Sequence, residues 1–234
     1  LIKNAGSDAV TDLTLAVSNE NGLLTACVKP IAEVPFESSV EVDVGNILSP
    51  LYFVGLEEVR DERIYIELKK DKQTIASETL TVTALPFDYW QGASGNAELL
   101  ASFVRPKLAD CARLQTEIGA QLKKWGVTVE GGGYEGSDKN TVRQTAAALY
   151  ACIRRYAFQR EECDISSPVE AGGGVKLLSE RRATPLEMAL FVGACLENLG
   201  LHPVLILGEK EITCGVWLYD NCFMDTVSDD LQRL

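Results

Sequence analysis

Thr184-Pro185-Leu186-Glu187-Met188-Ala189-Leu190-Phe191-Val192-Gly193-Ala194-Cys195-Leu196-Glu197-Asn198-Leu199-Gly200-Leu201-His202-Pro203-Val204-Leu205-Ile206-Leu207 decides the fold of the second half of the chain. Its first four residues match a capping box. Thr184 stands at the N-cap, Pro185 at the first helical position, and Glu187 is placed to reach back to the Thr184 amide. The spacing predicts a helix from Pro185 to Leu199 that stops at Gly200, followed by a strand over Val204–Leu207.

The pattern extends outward from that stretch. Downstream, Ile212–Leu218 reads as a second strand, and a third is placed near Cys222–Val227. Upstream, Leu108, Cys111, Leu114, Ile118 and Leu122 recur every three or four residues and predict a helix over Pro106–Lys124. Pro106 is tolerated in its first turn, and Gly126 lies just past its end. Asp138–Phe158 reads as another helix with Val142, Ala146, Leu149, Tyr150 and Ile153 on its buried face. Three helices followed by an antiparallel sheet make an α+β domain.

Before about residue 88 the period changes from 3.6 to two. Asp12–Ser18, Ser39–Val44 and Arg63–Leu68 alternate apolar and polar residues, separated by the turn signals Asn4–Ser7, Asn19–Gly22 and Lys70–Gln73. Short strands at such spacing point to an all-β, Ig-like sandwich. No Cys…Trp…Cys pattern of antibody domains is present. Leu51–Leu56 reads as a short helical crossover. Leu85-Pro86-Phe87-Asp88-Tyr89-Trp90-Gln91-Gly92 reads as the linker, its aromatics wedged between the domains. The expected organisation is two domains: residues 1–88 an Ig-like β-sandwich and residues 89–234 an α+β domain. A chain of 234 residues has room for both at ~100–200 residues per domain.

Composition narrows the function classes. The 34 acidic residues outnumber 22 basic ones, for a net charge of −12. A nucleic-acid-binding face needs a basic stripe that displaces counterions from phosphates. The nearest approaches are Lys69-Lys70-Asp71-Lys72, which reads as a solvated hairpin tip, and Arg181-Arg182; direct nucleic-acid binding is not expected. No run approaches the ~20 apolar residues of a membrane span, and the first residues lack the pattern of a signal peptide. The strand-like start at Leu1 and the tail-less end at Leu234 are expected to be cut ends of a longer protein.

Seven cysteines (Cys27, Cys111, Cys152, Cys163, Cys195, Cys214 and Cys222) include no C-x-x-C pair. Their odd number and the apolar settings of Cys152 and Cys195 suit free thiols in a reducing, cytoplasmic compartment. With His202 the one histidine, no conventional zinc site can be assembled, and no metal or cofactor is expected. His202 reads as a partly exposed residue at a helix end. Gly131–Gly133 and Gly172–Gly174 lack the Gly-Lys-Ser/Thr ending of a phosphate loop and read as flexible loops.

From Ala97 onward the chain resembles the transglutaminase-like (papain-like thiol) domains of large bacterial proteins. The resemblance rests on Leu99–Pro106, Ala183–Leu190, Ala194–Leu207 and Gly215-Val216-Trp217-Leu218, and Lys3–Ser7 resembles the sandwich that precedes such domains. In those proteins the two domains accompany superfamily-1 helicase and nuclease-like modules, which the resemblance therefore implies as neighbours. Active members place a cysteine at the helix N-terminus, a histidine on the next strand and an orienting acid on the strand after it. Matched residue by residue, the cysteine position is Pro185 and the histidine position is Glu211. The acid is matched by Asp225, with Asp230 second. Proline is no nucleophile, so the resemblance implies a fold whose catalytic residues are lost: a pseudoenzyme acting as an interaction or scaffold module for a protein partner or other domains of the same polypeptide. Two alternatives stay open. One is a thiol hydrolase or transferase with relocated residues, for which Cys214 is the candidate. The other is a small-ligand module at the domain junction around Phe87, Tyr89 and Trp90.

Overall fold

The computed structural model describes residues 1–128, 133–135, 138–172, 177–208, 211–221, 224 and 227–230. The chain is mixed α+β, with several small sheets and no barrel among the described residues, and it divides into two compact units, Leu1–Phe87 and Asp88–Leu234.

The first unit contains β1 (Ile2–Lys3), β2 (Val10–Asn19), β3 (Cys27–Val34), β4 (Ser39–Val40), helix α1 (Pro50–Val54), β5 (Arg60–Lys70) and β6 (Gln73–Ala84). Four strands form an antiparallel sheet in the order β3-β2-β5-β6, and β1 pairs with β4. Alternation sets which face is buried: Leu13, Leu15 and Val17 of β2 point into one core with Ile31, Val34 and Leu56. Asp71 and Lys72 both take positive φ, which makes the two-residue turn that matches the twist of the β5–β6 hairpin. The basic cluster beside it is therefore a hairpin tip.

One carboxylate lies inside this unit. Glu62 is 1% exposed. It accepts hydrogen bonds from the side-chain amides of Asn19 and Asn21 and from the Tyr52 hydroxyl, so its charge is buried but fully solvated by protein donors. The amide of Asn19, foremost among these donors, holds the Glu62 carboxyl below the usual carboxylate range against the opposing effect of burial.

The alternation over Ser39–Val44 does not become a strand of that length. Only Ser39 and Val40 pair, with β1; Val42 and Val44 still turn toward the core, but no neighbouring strand supplies their backbone with a ladder. Apolar alternation reports burial on one face, and pairing depends on a partner strand elsewhere.

The second unit opens with β7 (Tyr89–Trp90) and a 3₁₀ turn at Ala97–Phe103, then α2 (Ala109–Lys124) and α3 (Lys139–Arg155). Short β8 (Gln159–Arg160), β9 (Val169–Glu170), α4 (Leu177–Glu180) and β10 (Arg182–Ala183) precede α5 (Pro185–Asn198), β11 (Pro203–Leu207) and β12 (Ile212–Val216). The small pairs β7–β9 and β8–β10 were not foreseen from periodicity, since two-residue strands carry none. Trp90 belongs to this unit's own core, with Leu100, Ile165 and Leu186 around it, which corrects the reading of it as an interdomain wedge.

Helix boundaries also shift. α2 starts at Ala109 rather than Pro106; Arg105–Leu108 forms a separate turn closed by the Leu108 amide on the Arg105 carbonyl. α3 is shorter than Asp138–Phe158 at both ends, with Asp138 capping it by accepting from the Asn140 and Thr141 amides. The three helices meet through Leu114 and Ile118 of α2, Leu149 and Cys152 of α3, and Phe191 and Cys195 of α5. Tyr150, placed on the buried face by spacing, is instead 65% exposed. The buried stripe of α3 runs through Val142, Thr145, Leu149 and Cys152, and Ala146 and Tyr150 lie on its flank.

The Gly131–Gly133 run was read as a flexible loop. Gly131 and Gly132 lie outside the described residues, but Gly133 is a packing position. Its amide donates to the Leu199 carbonyl, and its φ is +65°. Gly173 and Gly174 also lie outside the described residues.

Candidate functional site

The start of α5 is built as its sequence demands. Thr184 is extended at φ −75°, and its hydroxyl oxygen accepts from the Glu187 amide at 3.2 Å. The Glu187 carboxylate in return accepts from the Thr184 amide at 2.8 Å and from its hydroxyl at 2.9 Å. Pro185 fills the first helical position, where an N–H would have no intrahelical partner. The helix that follows is buried on most sides, from Leu186 through Leu190 to Leu196. It is the element against which the β11–β12 hairpin rests.

That hairpin pairs Pro203 with Val216, Leu205 with Cys214 and Leu207 with Ile212. A cavity of about 410 Å³ opens beside it. Its walls are Leu149, Tyr150 and Ile153 of α3, Pro185, Met188 and Val192 of α5, and the whole of β12 from Ile212 to Val216. The size falls within the range of small-molecule and peptide pockets. Among the described residues that line it none carries a charge; the polar groups are those of Tyr150, Thr213 and Cys214. Successive side chains of a strand point to opposite faces, so a wall made by five consecutive residues is the strand's edge. β11 occupies the other edge of β12.

Of the three positions matched to a catalytic triad, Pro185 lines this cavity. Glu211 is exposed in the hairpin loop, its carbonyl accepting from the Gly208 amide at 2.7 Å, and its neighbour Ile212 reaches the cavity wall. Asp225 lies outside the described residues. Asp230 is described, is exposed, and has a backbone amide that donates to the Ser228 hydroxyl.

The titratable groups around Pro185 are carboxylates and one half-buried thiol. Burial, followed by the charges of Asp88 and Glu187, raises the Glu170 carboxyl above its ordinary range. Cys214, on the cavity wall, has its thiol pushed up to about 12 by desolvation, leaving it neutral at physiological pH. His202 serves elsewhere. Its ring stacks edge-on against Tyr134 with centroids 5.3 Å apart, and its Nδ1 lies 2.9 Å from the Asn221 carbonyl oxygen. The Tyr134 hydroxyl donates to the Trp217 carbonyl and accepts from the His202 amide, tying the segment around Gly133 to both ends of the hairpin. Among the described residues, no group of three or more His, Cys, Asp or Glu side chains could hold a metal ion. No helix among them is long and apolar enough to cross a membrane.

The part played by α3 was invisible in the sequence. Ile153, read as core, is buried in the helical core and also reaches the cavity wall, whereas Tyr150, read as core, is exposed on that wall, where β12 lines the opposite side. The one signal was an aromatic hydroxyl on a face assigned to the interior. No family model matches the chain, and no curated protein or solved structure is significantly similar to it.

Proposed function

We propose that the second unit is a degenerate transglutaminase-like domain that works as a non-catalytic binding module, holding an extended apolar segment of a partner protein or of a neighbouring module in the groove beside Pro185. The observation that carries this reading is the groove itself: uncharged, about 410 Å³, walled on one side by a strand edge, and bounded by an imino acid where a thiol enzyme of this family has its nucleophile. The order of a long apolar helix followed by an antiparallel hairpin supports the family assignment. The antiparallel four-stranded sheet and the small β1–β4 pair support an Ig-like sandwich as the preceding domain. On this reading the chain is part of a cytoplasmic bacterial protein, and the helicase and nuclease-like neighbours follow from the resemblance alone.

A strand edge offers backbone donors and acceptors, and flanking apolar walls select alternate side chains of the strand that pairs with it. Selection of a displayed peptide library on the full chain tests the proposal. The expected outcome is enrichment of sequences with apolar residues at alternate positions, with binding weakened roughly tenfold by Tyr150→Ala and abolished by Val192→Arg. Enrichment of nothing, or of peptides that bind both variants as well as the unaltered chain, overturns it. The rival reading of a relocated thiol enzyme is favoured if a cysteine-directed probe labels Cys214 faster than the half-buried Cys27 and Cys163.

A further inference from the structure

On the flank of α5 next to the groove, two cysteines that stand 84 positions apart in sequence meet. Cys111 sits in the first turn of α2 and Cys195 in the third turn of α5, and their sulfur atoms are 3.7 Å apart. Each is 1% exposed. The Cys195 thiol donates to the Cys111 sulfur, which lies 4.0 Å from the Arg105 carbonyl oxygen. The residues around them, Leu114, Phe191 and Ala194 among them, are apolar, so each sulfur has the other as its chief polar neighbour. Cys152, by contrast, is fully buried, and among the described residues its sulfur meets the Arg155 guanidinium rather than a second thiol.

We propose that Cys111 and Cys195 form an oxidisable pair, which a small hydroperoxide converts to a disulfide that ties α2 to α5. The roles of the two sulfurs differ. The hydrogen bond from Cys195 stabilises negative charge on Cys111 and holds its thiol below the ordinary range, whereas donating that bond and being buried both raise Cys195. Cys111 is therefore the attacking sulfur. α2 also begins at Leu108 without a side-chain cap, so its first turn opens more readily than the rest of the helix and admits an uncharged oxidant as small as hydrogen peroxide.

The chemistry balances in two steps. Cys111 loses its proton, and its sulfur attacks one peroxide oxygen, breaking the O–O bond; hydroxide leaves and takes up that proton as water, and Cys111 becomes a sulfenic acid. The Cys195 sulfur then attacks the Cys111 sulfur, breaking its S–O bond. The departing hydroxide takes the Cys195 proton, giving a second water and the S–S bond. Two thiols are oxidised by two electrons, and one peroxide is reduced. The sulfurs must approach by roughly 1.7 Å to reach the ~2.05 Å of a disulfide, a distance that side-chain rotation with a small helix shift covers. The bond closes a long loop and fixes the helix whose Met188 and Val192 wall the groove.

The test uses the reduced 234-residue chain treated with graded hydrogen peroxide, then denatured, alkylated with N-ethylmaleimide and mapped by peptide mass spectrometry. The expected result is a Cys111–Cys195 linked peptide, reversed by dithiothreitol, at peroxide levels that leave Cys152 and Cys214 unmodified. The oxidised chain should melt on the order of 10 °C higher, and Cys195→Ala should show neither the link nor the shift. Because the unaltered chain is mapped by itself, the result stands even if the variant folds poorly. The proposal is overturned if both cysteines are recovered alkylated once Cys152 is oxidised, if Cys195 is found joined to Cys214 instead, or if the linked chain melts lower than the reduced one.

Discussion

The Tyr52 hydroxyl donates a 2.8 Å hydrogen bond to the carboxylate of Glu62, linking the short helix α1 to strand β5 in the interior of the first unit. With the amides of Asn19 and Asn21 on the same carboxylate, three donors depend on one buried charge. Glu62→Ala leaves the Tyr52 hydroxyl and the Asn21 amide without that acceptor, while the Asn19 amide keeps the Arg63 carbonyl, and should destabilise the unit by about 3 kcal/mol. Urea unfolding at pH 7, compared with the unaltered chain, measures it.

The same carboxyl sets a pH dependence. Its folded pKa is depressed below the ordinary value of 4.5, chiefly by the Asn19 amide. Its stabilisation is therefore complete above pH 4.5 and is lost as pH falls from there through the folded pKa. The stability gap between the unaltered chain and Glu62→Gln should narrow below pH 4.5. A gap that stays constant down to pH 3 would show that Glu62 is not held ionised.

Gly133 and Gly126 both take φ near +70°, but their surroundings differ. A Cβ on Gly133 would stand 2.3 Å from the Gly200 carbonyl oxygen, whereas one on Gly126 meets nothing within 4 Å. Gly126→Ala should therefore cost about 1 kcal/mol, the conformational term alone. Gly133→Ala should cost on the order of 3 kcal/mol, because backbone must also move. Thermal melts of the two variants side by side separate the effects, and equal losses would refute the close approach.

Thr184 and Glu187 satisfy each other's backbone amides, so their contributions to α5 are coupled. Thr184→Ala and Glu187→Ala should each cost about 1 kcal/mol, and the double variant should cost less than the sum. A double-mutant cycle by chemical denaturation reads the coupling. Strict additivity would mean that the reciprocal bonds contribute nothing jointly.

Cys214 supplies a test at the alkaline end. Its thiol is raised from 9.0 to about 12 by burial. The unfolded chain ionises first, so the stabilisation holds below pH 9 and drains away as pH rises toward 12. Cys214→Ala should flatten the decline in stability between pH 9 and pH 10.5. In the folded chain at pH 7.5, iodoacetamide should modify Cys27 and Cys163 before Cys214, which is equally half-buried but whose thiol is held neutral.

Local sequence determined what local physics can decide. The capping box at Thr184, the proline after it and the 3.6-residue spacing through Leu196 specify α5, because every interaction involved lies within one turn. The hairpin tip at Asp71-Lys72 and the alternation of β2 are legible for the same reason: a turn conformation and a buried face repeat at intervals of two to four residues. Only the tertiary structure decided the rest. The three donors on Glu62 come from β2, the loop after it and α1, and the most distant, Asn19, stands 43 positions from the carboxylate. Tyr150 turns from expected core to groove wall because of where β12 lies beside α3. The Cys111–Cys195 contact spans 84 positions, and no periodicity carries information across such a distance. Those relationships arise when elements already formed are brought together, and burial, not spacing, selects which of their side chains meet.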